Sequence, residues 1–212
     1  GIAQASRSTG RHMISTVLEH ASVGGTLTAL QQQGWEVDLL DIQRDGTIDL
    51  EQLGDLLRKD TILVSVCAVD SELGTVQPIR QITEILKDFP NCRLHVDATQ
   101  AIGKTELVMD GVDTMSIAPH KFYGLNGSGL LLKKSSLIIE PQTHGGSSTT
   151  PYRSGTPALA LAVSIEKALQ LTLTQQEERI RYVRQLNEYL KTALLHYPAV
   201  RINSPEGAVP HI

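Results

Sequence analysis

The chain has 212 residues, of which 41% are hydrophobic and 20% charged. That balance supports a buried core and argues against global disorder. A net charge of −4, with no block of like charge, argues against a nucleic acid or an anionic membrane as the main partner.

No run of about 18 apolar residues offers a membrane span. Gly1-Ile2-Ala3-Gln4 lacks the basic and apolar regions of a signal peptide. The two cysteines, Cys67 and Cys92, lie in or beside apolar runs. They read as small core or surface residues rather than a disulfide framework, and a reducing cytoplasm is the expected setting.

Met13 to Leu18 is the first strand candidate. A helical pattern follows and is closed by Gly34, and Trp35 to Leu40 is the second strand. Asp49 suits the N-cap of a short helix carrying Leu50, Leu53, Leu56 and Leu57. Thr61 to Val69 is a continuous β-rich run, as expected for a strand buried on both faces. Pro78 suits the first turn of a helix with Ile79, Ile82, Ile85 and Leu86 on one side. Further strands are expected at Arg93–Ala98, Val112–Ile117 and Gly129–Leu132.

Two helices are expected near 157–171 and 175–196, the second with an apolar stripe of Ile180, Val183, Leu186, Leu190 and Leu194. Val200 to Ile202 then reads as the start of a strand. Strands alternating with helices predict an α/β fold, a mostly parallel sheet flanked by helices. Residues 1–172 form the expected large domain and 173–212 the opening of a smaller one. No initiator Met opens the chain, and Val209-Pro210-His211-Ile212 reads as the start of another strand. A segment of a longer protein is therefore expected.

Ligands of parallel sheets bind beyond the carboxyl ends of the strands, and four polar clusters fall there. They are Glu19-His20, Asp70-Ser71-Glu72-Leu73-Gly74, His95-Val96-Asp97-Ala98-Thr99-Gln100 and Ser116-Ile117-Ala118-Pro119-His120-Lys121. Asp97 and Lys121 lie 24 positions apart at the ends of consecutive strands. Pyridoxal phosphate (PLP) needs an amine for covalent attachment and a carboxylate to keep its pyridine nitrogen protonated. Lys121 and Asp97 supply those groups. His20 is placed to stack on the ring, Gln100 to reach its phenolic oxygen and His120 its phosphate.

Each residue also has an ordinary reading. Asp97 alone is a turn or cap carboxylate, Lys121 alone a solvated lysine, and either histidine alone a structural one. His95 is given no role. His20, His120 and His144 lack the close spacing of a metal site, so no metal is expected.

Together these stretches resemble class V aminotransferase-like PLP enzymes, and among them the cysteine desulfurases. The matching stretches include Leu18-Glu19-His20, Ser71 to Ile79, His95 to Gln100, His120-Lys121-Phe122-Tyr123-Gly124, His144-Gly145-Gly146 and Arg153-Ser154-Gly155-Thr156. The resemblance spans roughly residues 10–170. It implies the large domain of a fold type I PLP enzyme. It implies that Lys121 forms the Schiff base and later acts as the base, and that Asp97 pairs with the ring nitrogen. Gln100 would contact the phenolic oxygen, His20 would stack and move protons, and His120 would bind phosphate. Thr156 would contact the phosphate of the neighbouring subunit in a homodimer. The implied reaction converts L-cysteine to L-alanine and leaves sulfur on a protein cysteine as a persulfide, for an acceptor protein in iron–sulfur cluster or thio-cofactor assembly.

Three departures stand out. The family usually has Asn at the position of Ser71, so a ring-oxygen or substrate contact is weakened. It usually has Ser-Gly where Ala118-Pro119 stand, so one phosphate hydroxyl is lost. The phosphate loop that precedes the first matching strand is not in these residues. Nor are the persulfide cysteine and the carboxylate-binding arginine, so the segment alone is expected not to turn over. Rival readings are another class V enzyme (selenocysteine lyase, kynureninase-like hydrolase or aminotransferase) and a degenerate, non-catalytic partner subunit. A nucleotide-binding domain is disfavoured because no Gly-x-Gly-x-x-Gly or P-loop pattern follows a strand.

Overall fold

Thr61–Cys67 forms a strand buried along its whole length, and the rest of the sheet is laid out on either side of it. The computed structural model describes residues 1–146 and 150–210. In chain order the elements are α1 (Ile2–Ala5), β1 (His12–Thr16), α2 (Ala21–Gln31), β2 (Glu36–Leu40), α3 (Leu50–Leu56) and β3 (Thr61–Cys67). They continue with α4 (Ile79–Leu86), β4 (Arg93–Asp97), β5 (Thr114–Ile117), a 3₁₀ turn (Pro119–Phe122), β6 (Leu130–Lys133), α5 (Leu159–Thr174) and α6 (Gln176–Leu194).

The six strands lie in the order β2-β1-β3-β4-β5-β6. All neighbours are parallel except β5 and β6. The chain runs outward from β1 to β2 and then crosses back to β3 on the other side of β1. That reversal is a topological switch point, where open α/β sheets bind ligands at the carboxyl ends of their strands.

Two apolar clusters hold the layers. Met13, Ile62 and Leu63 pack with Leu27 of α2, Trp35 and Ala3 of α1. Ile14, Val64, Val66, Leu94, Val96 and Met115 belong to a larger cluster that includes Leu53 of α3 and Ile79 and Ile82 of α4. Leu53 is fully buried, so its truncation to Ala costs about 2–5 kcal/mol. Asp49 caps α3 as expected, accepting from the backbone N–H groups of Glu51 at 2.9 Å and Gln52 at 3.1 Å.

The six strands expected between residues 13 and 132 form, several of them shorter. The β1 strand stops at Thr16, because Thr16 Oγ1 turns back to accept from Leu18 N at 3.1 Å. The β3 strand stops at Cys67, but Val69 bridges antiparallel to Val76. That makes residues 69–76 a tight excursion carrying Ser71. Asp70 closes it by accepting from Glu72 N at 3.0 Å and from Leu73 N. Gln77 secures its base, donating to Gly46 O at 2.9 Å and accepting from Ile48 N at 3.0 Å. Pro78 is the N-cap of α4 rather than a residue of its first turn.

Val200 to Ile202 is not a strand. It lies outside the six-stranded sheet, whose edge strand on that side is β6. Val209 docks elsewhere, its N–H donating to Gly74 O at 2.8 Å. Gly74 has φ +76°, and a Cβ there would stand 2.1 Å from Val209 O, so only glycine allows this approach. The rest of the strand expected there, His211 and Ile212, lies outside the described residues. The boundary expected at 172/173 falls inside the last turn of α5. None of the described residues of α6 is buried, although Ile180 and Val183 of its apolar stripe line the cavity described below.

Candidate active site

The carboxyl ends of β1, β3, β4 and β5 bring the expected residues to one edge of the sheet. Register sets their level. Cys67 on β3 pairs with Asp97 on β4, and Asp97 pairs with Ser116 on β5. Asp97 is half-buried, and its Oδ1 accepts from Thr99 N at 3.0 Å. That bond leaves the second carboxylate oxygen available to a ligand.

Lys121 and His120 sit in the 3₁₀ turn after β5, both exposed. The turn ends at Tyr123, which adopts a left-handed conformation with φ 72°. Such a conformation is uncommon for a bulky residue and is held only where the surroundings enforce it. Here Gly124 N donates back to Pro119 O at 2.9 Å, and the Arg179 guanidinium lies 4.2 Å from the centre of the Tyr123 ring. From α5, Thr172 Oγ1 donates to Phe122 O at 3.3 Å. The lysine thus stands exposed on a turn braced from three sides.

A cavity of about 490 Å³ opens here, lined by Ser71, Gln100, His120 and Lys121 together with Lys104 and Arg179. It unites four of the expected residues. Asp97 and His20 are not in its lining and stand at the ends of β4 and β1. His20 is exposed and caps α2, its Nδ1 accepting from Ser22 N at 3.2 Å. Thr156 is exposed on the loop before α5 and lines no part of the cavity.

Electrostatics mark the same edge. Gln100 Oε1 accepts from Lys104 Nζ at 2.6 Å. The Lys104 pKa is lowered, first by burial and then by the neighbouring Lys121 ammonium. With Arg179 and Arg184, these lysines put four cations around one cavity, which suits an anionic ligand. His95, on the strand below Asp97, bonds Thr114 Oγ1 at 2.9 Å and Ser116 Oγ at 3.3 Å. Burial lowers its pKa, partly offset by the Asp97 carboxylate. Cys67 and Cys92 are both buried. Burial, and then the carboxylates Glu19, Asp70 and Asp97, push the Cys67 thiol up. Burial, followed by Asp113, pushes Cys92 up to about 12. Burial and a raised pKa both disfavour the thiolate form of either cysteine.

Sequence reasoning gave Glu19 no role, although it quoted the residue beside His20. Glu19 Oε1 accepts from Cys67 N at 2.7 Å and from Thr16 Oγ1 at 3.0 Å, while Oε2 is buried without a hydrogen-bond partner among the described residues. The signal was an acid directly after an apolar strand that ends at the switch point.

The model of the aminotransferase class-V family matches residues 1–211. The chain belongs to the aminotransferase class-V family. It is 40% identical to the NifS/IcsS protein homolog of Lactobacillus delbrueckii subsp. bulgaricus, over all of this chain and 56% of that protein. It is 35% identical to the cysteine desulfurase IscS of Dictyoglomus turgidum, over 89% of this chain and 48% of that protein. A solved NifS-like protein superposes with a TM-score of 0.94 at 31% identity, covering 99% of this chain and 58% of that one. The chain thus spans about half the length of the curated relatives it matches. It has the fold type I architecture of these PLP enzymes.

PLP is the cofactor of this family, and the residues present fit it. The edge offers an exposed amine at Lys121, a half-buried carboxylate at Asp97 with one oxygen uncommitted to Thr99, and cations for a phosphate. Ala118 brings no hydroxyl, and the Ser116 hydroxyl is engaged by His95. Among the described residues, no group of three or more His, Cys, Asp or Glu is arranged to hold a metal, and no helix is long and apolar enough to cross a membrane.

Proposed function

We propose that the whole protein is a cysteine desulfurase that converts L-cysteine to L-alanine and passes the sulfur on as an enzyme persulfide. Residues 1–172 would be its PLP-binding large domain and 173–212 the start of a smaller one. The observation that carries the reading is the shared cavity of Lys121, Gln100, His120 and Ser71 at the carboxyl edge of the sheet, beside Asp97.

When bound, PLP supplies an electron sink for charge developing at the substrate α-carbon. Lys121 Nζ would hold the cofactor covalently and, once freed, would serve as the base for the α-proton. Asp97 would keep the ring nitrogen protonated through the oxygen not bonded to Thr99. Gln100 would face the phenolic oxygen, with Ser71 lining the same cavity. His20 would stack on the ring and move a proton, and His120 would hold phosphate. Thr156, exposed on its loop, would serve the phosphate site of a second copy in a homodimer. The braced 3₁₀ turn would keep Lys121 within reach of these groups.

In the overall balance, an acceptor thiol forms an S–S bond to the substrate sulfur as the substrate C–S bond breaks, and the carbon is protonated to give alanine. Cys67 and Cys92, buried with raised pKa values, do not suit that acceptor. We assign it to a residue outside these 212, so this segment alone does not turn over. The persulfide sulfur would go to an acceptor protein for iron–sulfur cluster or thio-cofactor assembly. We place the protein in the cytoplasm, with neither nucleic acid nor membrane as partner.

Lys121→Ala tests this reading in the full-length protein. It removes the long-wavelength cofactor band, at about 400–430 nm for a lysine-bound PLP, and abolishes alanine release. A mutant that keeps the band overturns the assignment.

A further inference from the structure

We propose that Glu19 is a positioning residue that works as a neutral carboxylic acid, pinning the His20-bearing turn to β3 and leaving the charge at this edge to Asp97. The inference deepens the PLP reading above and rests on it.

The geometry comes first. Glu19 follows β1 and crosses the switch point to accept from the backbone of Cys67 at 2.7 Å. Thr16 Oγ1, at the end of β1 itself, donates to the same oxygen at 3.0 Å. One carboxyl oxygen therefore ties the β1 turn to the end of β3. His20 is the next residue, and its backbone conformation begins α2. The position of its ring is then set by Glu19 on one side and by the helix on the other.

The second oxygen is the unusual part. Glu19 Oε2 is buried with no hydrogen-bond partner among the described residues. A buried ionised carboxylate needs both oxygens satisfied, and leaving one bare is costly. The titratable groups facing Glu19 are Cys67 on β3 and Asp97 on β4, with Asp70 beyond Cys67 on the excursion after β3. None is a cation. A carboxyl in such surroundings holds its proton. Consistent with this, burial first, and the Asp97 carboxylate in addition, raise its pKa from the ordinary 4.5 to about 7, against the hydrogen bonds from Cys67 and Thr16.

The consequence for the site is a division of labour. Asp97 must stay ionised to pair with a protonated ring nitrogen. A second ionised carboxyl two strands away would work against that charge by like-charge repulsion. While it holds its proton, up to about pH 7, Glu19 provides the tether without that interference. Glutamine reproduces this state, with a carbonyl for Cys67 and Thr16 and no charge. Alanine removes both.

Three measurements on the full-length protein test this. In the cofactor-free protein, infrared difference spectra between wild type and Glu19→Gln show a protonated-carboxyl band at pH 6 that fades by pH 8.5. Its absence at pH 6 overturns the proposal. Second, the folded pKa lies above the unfolded one, so the folded state holds the extra proton between pH 4.5 and about 7. Stability contributed by Glu19 is full below that window and is lost as pH rises through it. The melting temperature of Glu19→Gln relative to wild type therefore rises by about 3 °C or more between pH 5 and pH 8. A difference that stays flat with pH counts against the inference. Third, Glu19→Gln binds PLP within about twofold of wild type, whereas Glu19→Ala loses about tenfold, two hydrogen bonds' worth. A glutamine variant as weak as the alanine one would mean the negative charge is needed, and the idea fails. The first two readouts need no cofactor, so they can fail while Lys121 still binds PLP, and the reverse.

Discussion

At the amino ends of β1 and β3, His12 is fully buried with both ring nitrogens paired, to Thr61 Oγ1 at 2.7 Å and to Asp38 Oδ2 at 3.0 Å. At the carboxyl ends of the same strands, Glu19 buries an oxygen with no partner among the described residues, and His20 stands exposed. Nearby, Arg58 completes the amino edge with bonds to Glu36 at 2.7 Å and Asp60 at 3.1 Å. A paired polar network ties three strands together at the point where the β1–β3 register shifts, and both nitrogens of its central imidazole are already engaged. The opposite edge keeps an unpaired carboxyl oxygen, an exposed amine and two exposed imidazoles within one sheet's width. One edge of the sheet is finished by folding, and the other is left to be finished by binding.

Asp97→Asn should break the contrast most. The neutral amide cannot hold a protonated ring nitrogen, so under the proposed function kcat/KM of the full-length protein falls about 100-fold or more. Thermal stability barely moves, because Asn still accepts from Thr99 N. A tenfold-or-smaller loss in rate would remove Asp97 from the role assigned to it.

His12→Ala probes the finished edge. It leaves a cavity and takes one of the two partners of the buried Thr61 hydroxyl, which still accepts from Arg58 N at 2.8 Å, costing about 2–4 kcal/mol in chemical denaturation. Activity per folded molecule stays within about twofold, since the network touches nothing at the carboxyl edge. If the rate drops with stability intact, the two edges are coupled and the contrast drawn here is false.

Much of this division was legible in the sequence. Continuous apolar runs gave the strands, and polar clusters just past them gave Asp97, Gln100, His120, Lys121 and His20. Strand ends blurred where side chains turn back on the backbone, as Thr16 does at Leu18. Val200–Ile202 looked like a strand because β-branched residues alone cannot say whether a partner strand is present. Glu19 escaped notice for a related reason. Its meaning depends on crossing from β1 to β3, a contact between residues 48 positions apart that no local pattern encodes. Thr61 and Asp38, partners of His12 from 49 and 26 positions away, were invisible in the same way.

The smallest effect tests how far the unfinished edge can be improved. Ser71 is exposed at the cavity, on the excursion held by Asp70 and Gln77. Its side chain takes no part in that scaffold, so Ser71→Asn changes stability by less than about 0.5 kcal/mol. The longer amide adds one hydrogen bond toward the ring oxygen or the substrate. A single neutral bond is worth about 0.5–1 kcal/mol net, so affinity for PLP or cysteine rises about two- to fivefold. Ala118→Ser, on the half-buried residue before the 3₁₀ turn, acts through phosphate instead and should improve PLP retention alone. If Ser71→Asn leaves both affinities unchanged while Ala118→Ser improves retention, the excursion after β3 lies outside the ligand's reach. The working edge would then be confined to β1, β4 and β5.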